Sequence, residues 1–455
     1  MSKEKLLKLS KILVLIFMSL TFLNVLLPDS FVIGIHRLES DLGIDRFDPF
    51  QMIIRWFNFS SFVILPIAVF YDKKTFKKVA IYFCLPVAII YFALIGQILP
   101  CYTNPAGTGI VDIRYLPEFV SDLMHNGVLR GMIFVLTSLT QFSTIGLLIY
   151  RDWEVVKFKK NEIVPFILLL ICSIVTILPV YALEGIFNTY TDAIFYRFSI
   201  LHFIWILSIV VELVVATLMF KKRSYEDRYI LVLVLSLSLF LQFNQLFSSL
   251  GELTCKRMPF QLCNIAAYLT LISIVTKDRK LFLFNILINV AGGLIALFVL
   301  DVPADEGILS KGHIHYIVEH HNVIIAPLLA LILGIFKPIT WKDFKAFALY
   351  FTVYYLFVFI LGTIFNTIYN LDTTNNSYFY CNYLFMFDQA TAAKLVGFAG
   401  QLFDYKFNIG PVTIYYVIQP LVYIAFFVIG TGMFVLLKWA VKDKKEEIIA
   451  INTEY

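Results

Sequence analysis

Twelve long apolar stretches alternate with polar segments along the chain. Each stretch is long enough, or nearly so, to cross a hydrocarbon layer of about 30 Å as a helix. They run over 8–28, 51–71, 76–97, 128–150, 162–184, 197–220, 229–248, 259–276, 281–300, 320–337, 344–368 and 411–437. The pattern predicts an all-α, polytopic integral membrane protein with about 12 transmembrane helices.

Lys and Arg are concentrated in every second gap between these stretches. Those gaps and the two chain ends hold 26 of the 37 basic residues. The basic segments lie before residue 11 and around 73–78, 151–160, 221–228, 277–280, 337–345 and 438–445. Because cytoplasmic loops carry an excess of positive charge, both termini and the short basic turns are predicted to be cytoplasmic. The longer loops are then expected outside.

The composition excludes a soluble globular protein. Hydrophobic residues make up 60% of the chain and charged residues 15%, and the mean hydropathy is +0.81. The net charge of +5 lies in the turns, where membrane orientation explains it, so no nucleic-acid partner is expected. The N-terminal apolar stretch has no cleavage site of small residues and is interpreted as an uncleaved first span. We expect a multi-pass protein of the cell (plasma) membrane whose partners are membrane lipids, and the sequence leaves the oligomeric state open.

A weak internal repeat divides the chain into six-span halves, 1–222 and 223–455. At an offset of 206 residues, Met52 corresponds to Met258 and Asn58 to Asn264. Halves with an even number of spans would be parallel repeats. Phe57 stands where the second half has Cys263, so chemistry is expected only in the C-terminal half.

Cys263 and a pair of histidines are the strongest candidates for chemistry. Cys263 opens the eighth span, while His320 and His321 open the tenth, both predicted on the outer side. An imidazole that takes the proton of a buried thiol makes it a nucleophile. Two other interpretations remain open. In the first, Cys263 is a packing residue and the histidines solvate the end of a loop; in the second, the histidines belong to a metal site. The metal site would use His313 and His315 with Glu306 or Glu319.

Polar side chains near these positions are candidate pocket or oxyanion-binding residues. Asn285 and Asn289 lie four residues apart, on one helical face. The full candidate set is Gln261, Asn264, Asn285, Asn289 and Asn322. Glu212, in the sixth span, is expected to hydrogen-bond between helices, because a bare charge in a membrane is costly.

The remaining cysteines suggest a structural role. Cys101, Cys255 and Cys381 fall in predicted outer loops, where a disulfide is possible, but the sequence does not choose a pair. Cys84 and Cys172 lie inside apolar stretches and are interpreted as packing residues.

The segment Pro259-Phe260-Gln261-Leu262-Cys263-Asn264 resembles a motif of the YwaF family. His321-Asn322 at the start of a span and the segment Asn376–Tyr380 resemble that family as well, and the likeness covers about residues 225–440. YwaF proteins are bacterial relatives of the transmembrane protein 164 acyltransferases, which move fatty acyl chains between phospholipids with a Cys and a His. The resemblance implies the same roles for Cys263 and for His321 or His320, without a cofactor or metal.

The functional hypothesis from sequence is therefore a lipid-modifying acyltransferase. It would form an acyl-thioester on Cys263 and pass the acyl group to a lysolipid-like acceptor. Twelve spans in two parallel halves are also typical of solute transporters. A transporter or a non-catalytic membrane factor therefore remains the alternative.

Overall fold

The structure is a computed structural model and is mostly helical. It describes residues 2–26, 49–96, 99, 126–156, 160–164, 166–167, 198–244, 255, 258–299, 311–371, 379–390, 393 and 397–440. The long helices are α1 (Lys3–Leu26), α2 (Pro49–Tyr71), α3 (Lys74–Ala93), α4 (Gly127–Arg151), α5 (Ile200–Phe220), α6 (Tyr225–Asn244), α7 (Leu262–Thr276), α8 (Arg279–Val299), α9 (Lys311–Ile332), α10 (Asp343–Leu371) and α11 (Ile418–Ala440).

These helices coincide with eleven of the twelve predicted stretches. The remaining stretch, 162–184, lies mostly outside the described residues. Among the residues that the structure describes, six helices are long and apolar enough to cross a membrane, namely α3, α4, α5, α8, α10 and α11. Shorter apolar helical segments lie in α2, α7 and α9. The chain is thus a helical membrane protein, while the count of twelve spans and the orientation remain predictions.

Two boundaries differ from the sequence prediction. Helix α9 begins at Lys311 rather than near residue 320, because its first turns are histidine-rich and a hydropathy pattern does not detect a polar helix start. His320 and His321 therefore lie inside this helix instead of opening it. The last span begins at Ile418, not 411, because β1 (Phe407–Ile409) and β2 (Val412–Ile414) form an antiparallel hairpin before it.

Contacts divide the chain into two compact units. The first consists of Met1–Ile194, Leu237–Glu252 and Glu306–His315, and the second of Phe195–Ser236, Leu253–Asp305 and Tyr316–Tyr455. In the first unit α1 packs against α2 and α4, and α2 packs against α3. In the second, α8 is central and packs against α7, α10 and α11.

The units do not have the boundaries of the predicted halves. Helix α5, the sixth stretch of the sequence, belongs to the second unit. In the first unit, Phe57 is fully buried and its ring packs against Tyr91 and Phe142. The position that the proposed repeat aligns with Cys263 is thus a packing position, and the repeat itself stays a prediction.

Charged side chains in the basic turns are paired with acidic side chains or backbone carbonyls. In the first unit Arg151 and Lys77 both contact the carboxylate of Asp72, at 2.5 and 2.9 Å. In the second unit Arg279 bonds to Asp343 at 2.6 Å. Arg228 donates to the Leu333 carbonyl at 2.6 Å. These residues connect the helix ends within each unit.

Candidate active site around Cys263, His321 and Glu212

Cys263 is the second residue of α7. The preceding Gln261 is extended (φ −77°, ψ 153°) and forms the N-cap, so the helix begins at Leu262. The thiol is partly buried and donates to Oδ1 of Asn264 at 3.3 Å. Tyr354, on α10, donates to the carbonyl of Phe260 at 2.8 Å and so attaches α10 to the start of α7. The nucleophile candidate therefore sits at a fixed helix start.

Glu319, His320 and His321 form a buried polar group in the middle of α9. Their side chains are 5%, 3% and 7% exposed. Because consecutive helical residues point about 100° apart, the three side chains face different neighbours. Glu319 acts electrostatically on the Cys263 thiol. His320 donates from Nδ1 to the carbonyl of Tyr316 and packs on that ring at 4.1 Å.

His321 faces α5, where its Nδ1 atom lies 3.2 Å from Oε1 of Glu212. A carboxylate only accepts, so this bond places the imidazole proton on Nδ1. The Nε2 atom is buried and has no hydrogen-bond partner within the part of the chain that the structure describes. A histidine held by a carboxylate, with a free lone pair on Nε2, is arranged as a proton acceptor.

Gly292 and Gly293 are adjacent on α8, and they let α7 and α9 pack closely against neighbouring positions of that helix. A Cβ atom added at Gly292 would lie 3.3 Å from the Cβ of Leu262, the residue before Cys263. One added at Gly293 would lie 3.0 Å from Cγ1 of Ile324. Ile324 is less than one turn beyond His321 along α9. The start of α7 and the histidine segment of α9 therefore approach α8 at neighbouring positions.

A buried amide chain follows the interface between α7 and α8. Asn285 donates to the Thr270 hydroxyl at 2.9 Å, and Asn289 donates to Oδ1 of Asn285 at 2.6 Å. Both asparagines are fully buried, and Oδ1 of Asn289 has no partner among the described residues. Because each amide nitrogen carries two protons, one proton of Asn289 remains for a further acceptor. Asn322 is also buried.

Both the nitrogen and the oxygen of the Gln261 side-chain amide hydrogen-bond to a loop. Its Nε2 donates to the carbonyl of Asn382 at 2.7 Å, and its Oε1 accepts from the backbone N–H of Leu384 at 2.9 Å. Its amide therefore attaches the loop 379–390 to the start of α7, an anchoring role that its sequence position alone did not indicate.

The metal interpretation finds no ligand cluster in the described ranges. There, no group of three or more His, Cys, Asp or Glu side chains is placed to hold an ion. Of the four predicted ligands, His313 and Glu319 are buried. Glu306 lies outside the described residues, and the side chain of His315 is not described.

Glu212 is the site residue that sequence reasoning interpreted differently. It was expected to bond between helices, which it does, but its partner is the candidate base itself. The partners are 109 residues apart. The only sequence signal for this pair was the presence of an acid and a histidine inside apolar stretches.

Comparison with known proteins identifies one relationship. A model of the TMEM164 family matches residues 197–431, just over half of the chain. The match includes every candidate site residue discussed above. No curated protein and no solved structure matches the chain.

Proposed function

Because the chain belongs to the TMEM164 family, we propose that it is a membrane acyltransferase that carries the acyl group as a thioester on Cys263. The substrates are a phospholipid as acyl donor and a lysolipid-like acceptor, both drawn from the cell membrane. The motif Pro259–Asn264 supports assignment to the bacterial YwaF branch as part of the same proposal.

The observation that carries this proposal is the Glu212–His321 pair. The carboxylate holds the ring by Nδ1 and leaves the buried Nε2 able to accept a proton. The neighbouring approach of α7 and α9 to α8 supports His321 as the base for Cys263. Hydrogen-bond reach of about 2.6–3.2 Å between base and nucleophile is required when substrate is bound.

The reaction has two half-reactions. In the first, Nε2 of His321 takes the Cys263 proton while sulfur attacks the ester carbonyl of the donor. The C–O bond breaks, and the lysolipid oxygen leaves with the proton from the imidazolium. In the second, the acceptor hydroxyl loses its proton to His321 and attacks the thioester; the C–S bond breaks, and the imidazolium returns the proton to the sulfur of Cys263. Glu212 stabilises the imidazolium in both steps.

Two other groups complete the proposed site. The Glu319 carboxylate acts on the thiol. Because a neighbouring negative charge disfavours a free thiolate, the base would take the Cys263 proton as the sulfur attacks and not beforehand. The remaining amide proton of Asn289, or the amide of Asn264, would stabilise the oxyanion of the tetrahedral intermediate.

The test is acyl labelling of purified protein in lipid nanodiscs. Wild type and Cys263→Ala are incubated with phospholipid that carries a radiolabelled acyl chain, and then with unlabelled lysolipid. We expect hydroxylamine-sensitive label on the wild type, its transfer to the lysolipid, and neither in Cys263→Ala. Cys84→Ala, a buried cysteine of the first unit, is the matched control and should behave as wild type. Equal labelling of Cys263→Ala, or none in wild type, would contradict the proposal and favour a transporter or a non-catalytic factor.

A further inference from the structure

The turn before α10 and the last turn of α11 meet through a lysine stacked on a tryptophan. The Nζ atom of Lys438 lies 3.8 Å from the centroid of the Trp341 ring, a cation–π contact. The other neighbour of that ring is Phe434, one turn before Lys438, with ring centroids 5.3 Å apart. The Trp341 side chain is nevertheless 63% exposed. The contact therefore fixes a positive charge beside an indole that is open to the surroundings.

Three more exposed side chains extend this contact. Lys342 follows Trp341 directly, and Lys345 comes three residues later, in the first turn of α10. Trp439, the neighbour of Lys438, is 78% exposed. We call this group the lysine–tryptophan surface; it consists of Trp341, Lys342, Lys345, Lys438 and Trp439.

The positive charge of this surface is not neutralised by the acid beside it. Asp343 is the acid within the segment 337–345. Its carboxylate already accepts from Arg279 at 2.6 Å, and from the N–H and hydroxyl of Thr340 at 2.7 and 2.8 Å. Throughout the part of the chain that the structure describes, no carboxylate lies within 4 Å of the three lysine ammonium groups. The surface therefore offers a net positive charge to an outside anion.

The turn that carries the surface is held in place. Arg279 donates to the carbonyls of Lys337 and Pro338, at 2.5 and 3.0 Å, as well as to Asp343. Arg279 is the first residue of α8 and closely follows the end of α7. Helix α7 has 15 residues, about 22 Å at 1.5 Å per residue, and Cys263 lies at its other end. The surface is thus remote from the proposed acyl transfer.

We propose that the lysine–tryptophan surface binds the headgroup of an anionic phospholipid. Tryptophan is enriched at the level of the headgroups, so two exposed indoles at the ends of apolar helices point to a lipid and not to a soluble anion. The ammonium groups donate to the phosphate oxygens, and clusters of lysine next to a membrane attract anionic lipids. A zwitterionic headgroup carries its own cation and gains less. This binding goes beyond acyl transfer and does not depend on it.

The test is the melting temperature of the full chain in uncharged detergent, with increasing phosphatidylglycerol or phosphatidylcholine. A lipid that binds the folded state raises the melting temperature. We expect phosphatidylglycerol to raise it at lower concentration than phosphatidylcholine. Replacement of the three lysines by glutamine should increase the phosphatidylglycerol needed for half of the shift by roughly tenfold or more. That variant is Lys342→Gln/Lys345→Gln/Lys438→Gln.

The matched control removes three exposed lysines from basic segments of the first unit. It is Lys73→Gln/Lys74→Gln/Lys160→Gln, and it should respond to phosphatidylglycerol as wild type does. Equal weakening in the two glutamine variants would overturn the proposal, because it would show a general attraction to basic turns. Equal effects of the two lipids on wild type would also overturn it.

Two further variants keep the charge of the turn and so preserve its effect on membrane orientation. Lys342→Arg/Lys345→Arg/Lys438→Arg should retain the response to phosphatidylglycerol. Trp341→Leu removes the ring under Lys438 and should weaken the response by roughly two- to fivefold. Glycerol 1-phosphate has the phosphate but no acyl chains and should leave the wild-type melting temperature unchanged. A shift with glycerol 1-phosphate equal to that with phosphatidylglycerol would mean a site for soluble phosphate and would contradict the lipid assignment.

Discussion

The Nδ1 atom of His321 lies 3.2 Å from the Oε1 atom of Glu212, and this pair joins α9 to α5. The histidine is buried, whereas the Glu212 side chain is 49% exposed on a helix of high hydropathy. A carboxylate in such a helix costs roughly 2.5–3.5 kcal/mol on insertion scales. A hydrogen bond to an imidazole offsets part of that cost. The catalytic role that we propose for the pair accounts for an acid at this position.

Glu212→Gln tests the pair directly. Glutamine keeps the size and an accepting oxygen but removes the charge that stabilises the imidazolium. We expect thioester formation to fall by roughly 100-fold or more, in line with the loss of the carboxylate from other nucleophile–histidine–carboxylate groups. The measurement is single-turnover labelling of purified protein. Glu154→Gln, an exposed acid of the first unit, is the control. Unchanged labelling of Glu212→Gln would remove Glu212 from the mechanism.

The two histidines should respond differently to substitution. His321→Ala is expected to abolish thioester formation, because it removes the base that Glu212 orients. His320→Phe keeps an aromatic ring on Tyr316 and loses the bond to the Tyr316 carbonyl. We therefore expect that variant to retain at least a tenth of the activity. Single-turnover rates of both variants decide the assignment. A lower rate for His320→Phe than for His321→Ala would assign the role of base to His320.

Gly293→Ala should disturb the position of His321, on α9, relative to Cys263, on α7. The new Cβ would lie 3.0 Å from Cγ1 of Ile324 and 3.2 Å from Cγ1 of Val323, so these side chains of α9 must shift by a few tenths of an ångström. Overpacking of this kind costs roughly 1–3 kcal/mol. We expect a lower melting temperature and slower thioester formation. Gly432→Ala, on α11, adds a Cβ with no atom within 4 Å and should change neither. Wild-type activity of Gly293→Ala would show that this close approach does not position the base.

The sequence predicts features that depend on neighbouring residues, and it does not predict contacts between residues that are far apart in the chain. Apolar length locates a helix because every residue of the stretch contributes to it, which is why eleven described helices fall on predicted stretches. The polar first turns of α9 carry no such signal, so its start at Lys311 was missed. The Glu212–His321 bond and the bonds from Gln261 to Asn382 and Leu384 join residues more than 100 positions apart. Only the packing of the helices brings such partners together.

The orientation of the chain is the prediction on which the outer position of the loop 379–390 depends. Lys342, in the turn before α10, and Lys406, between α10 and the hairpin, are both exposed. One precedes α10 in the sequence and the other follows it. Helix α10 has 29 residues, about 43 Å at 1.5 Å per residue, which exceeds the hydrocarbon thickness. Because basic turns stay in the cytoplasm, Lys406→Cys should react with an impermeant maleimide in intact cells. Lys342→Cys should react only after permeabilisation, with both variants made in a background in which the six native cysteines are replaced by alanine. Labelling of Lys342→Cys from outside would reverse the topology and move the loop 379–390 to the cytoplasmic side of the membrane.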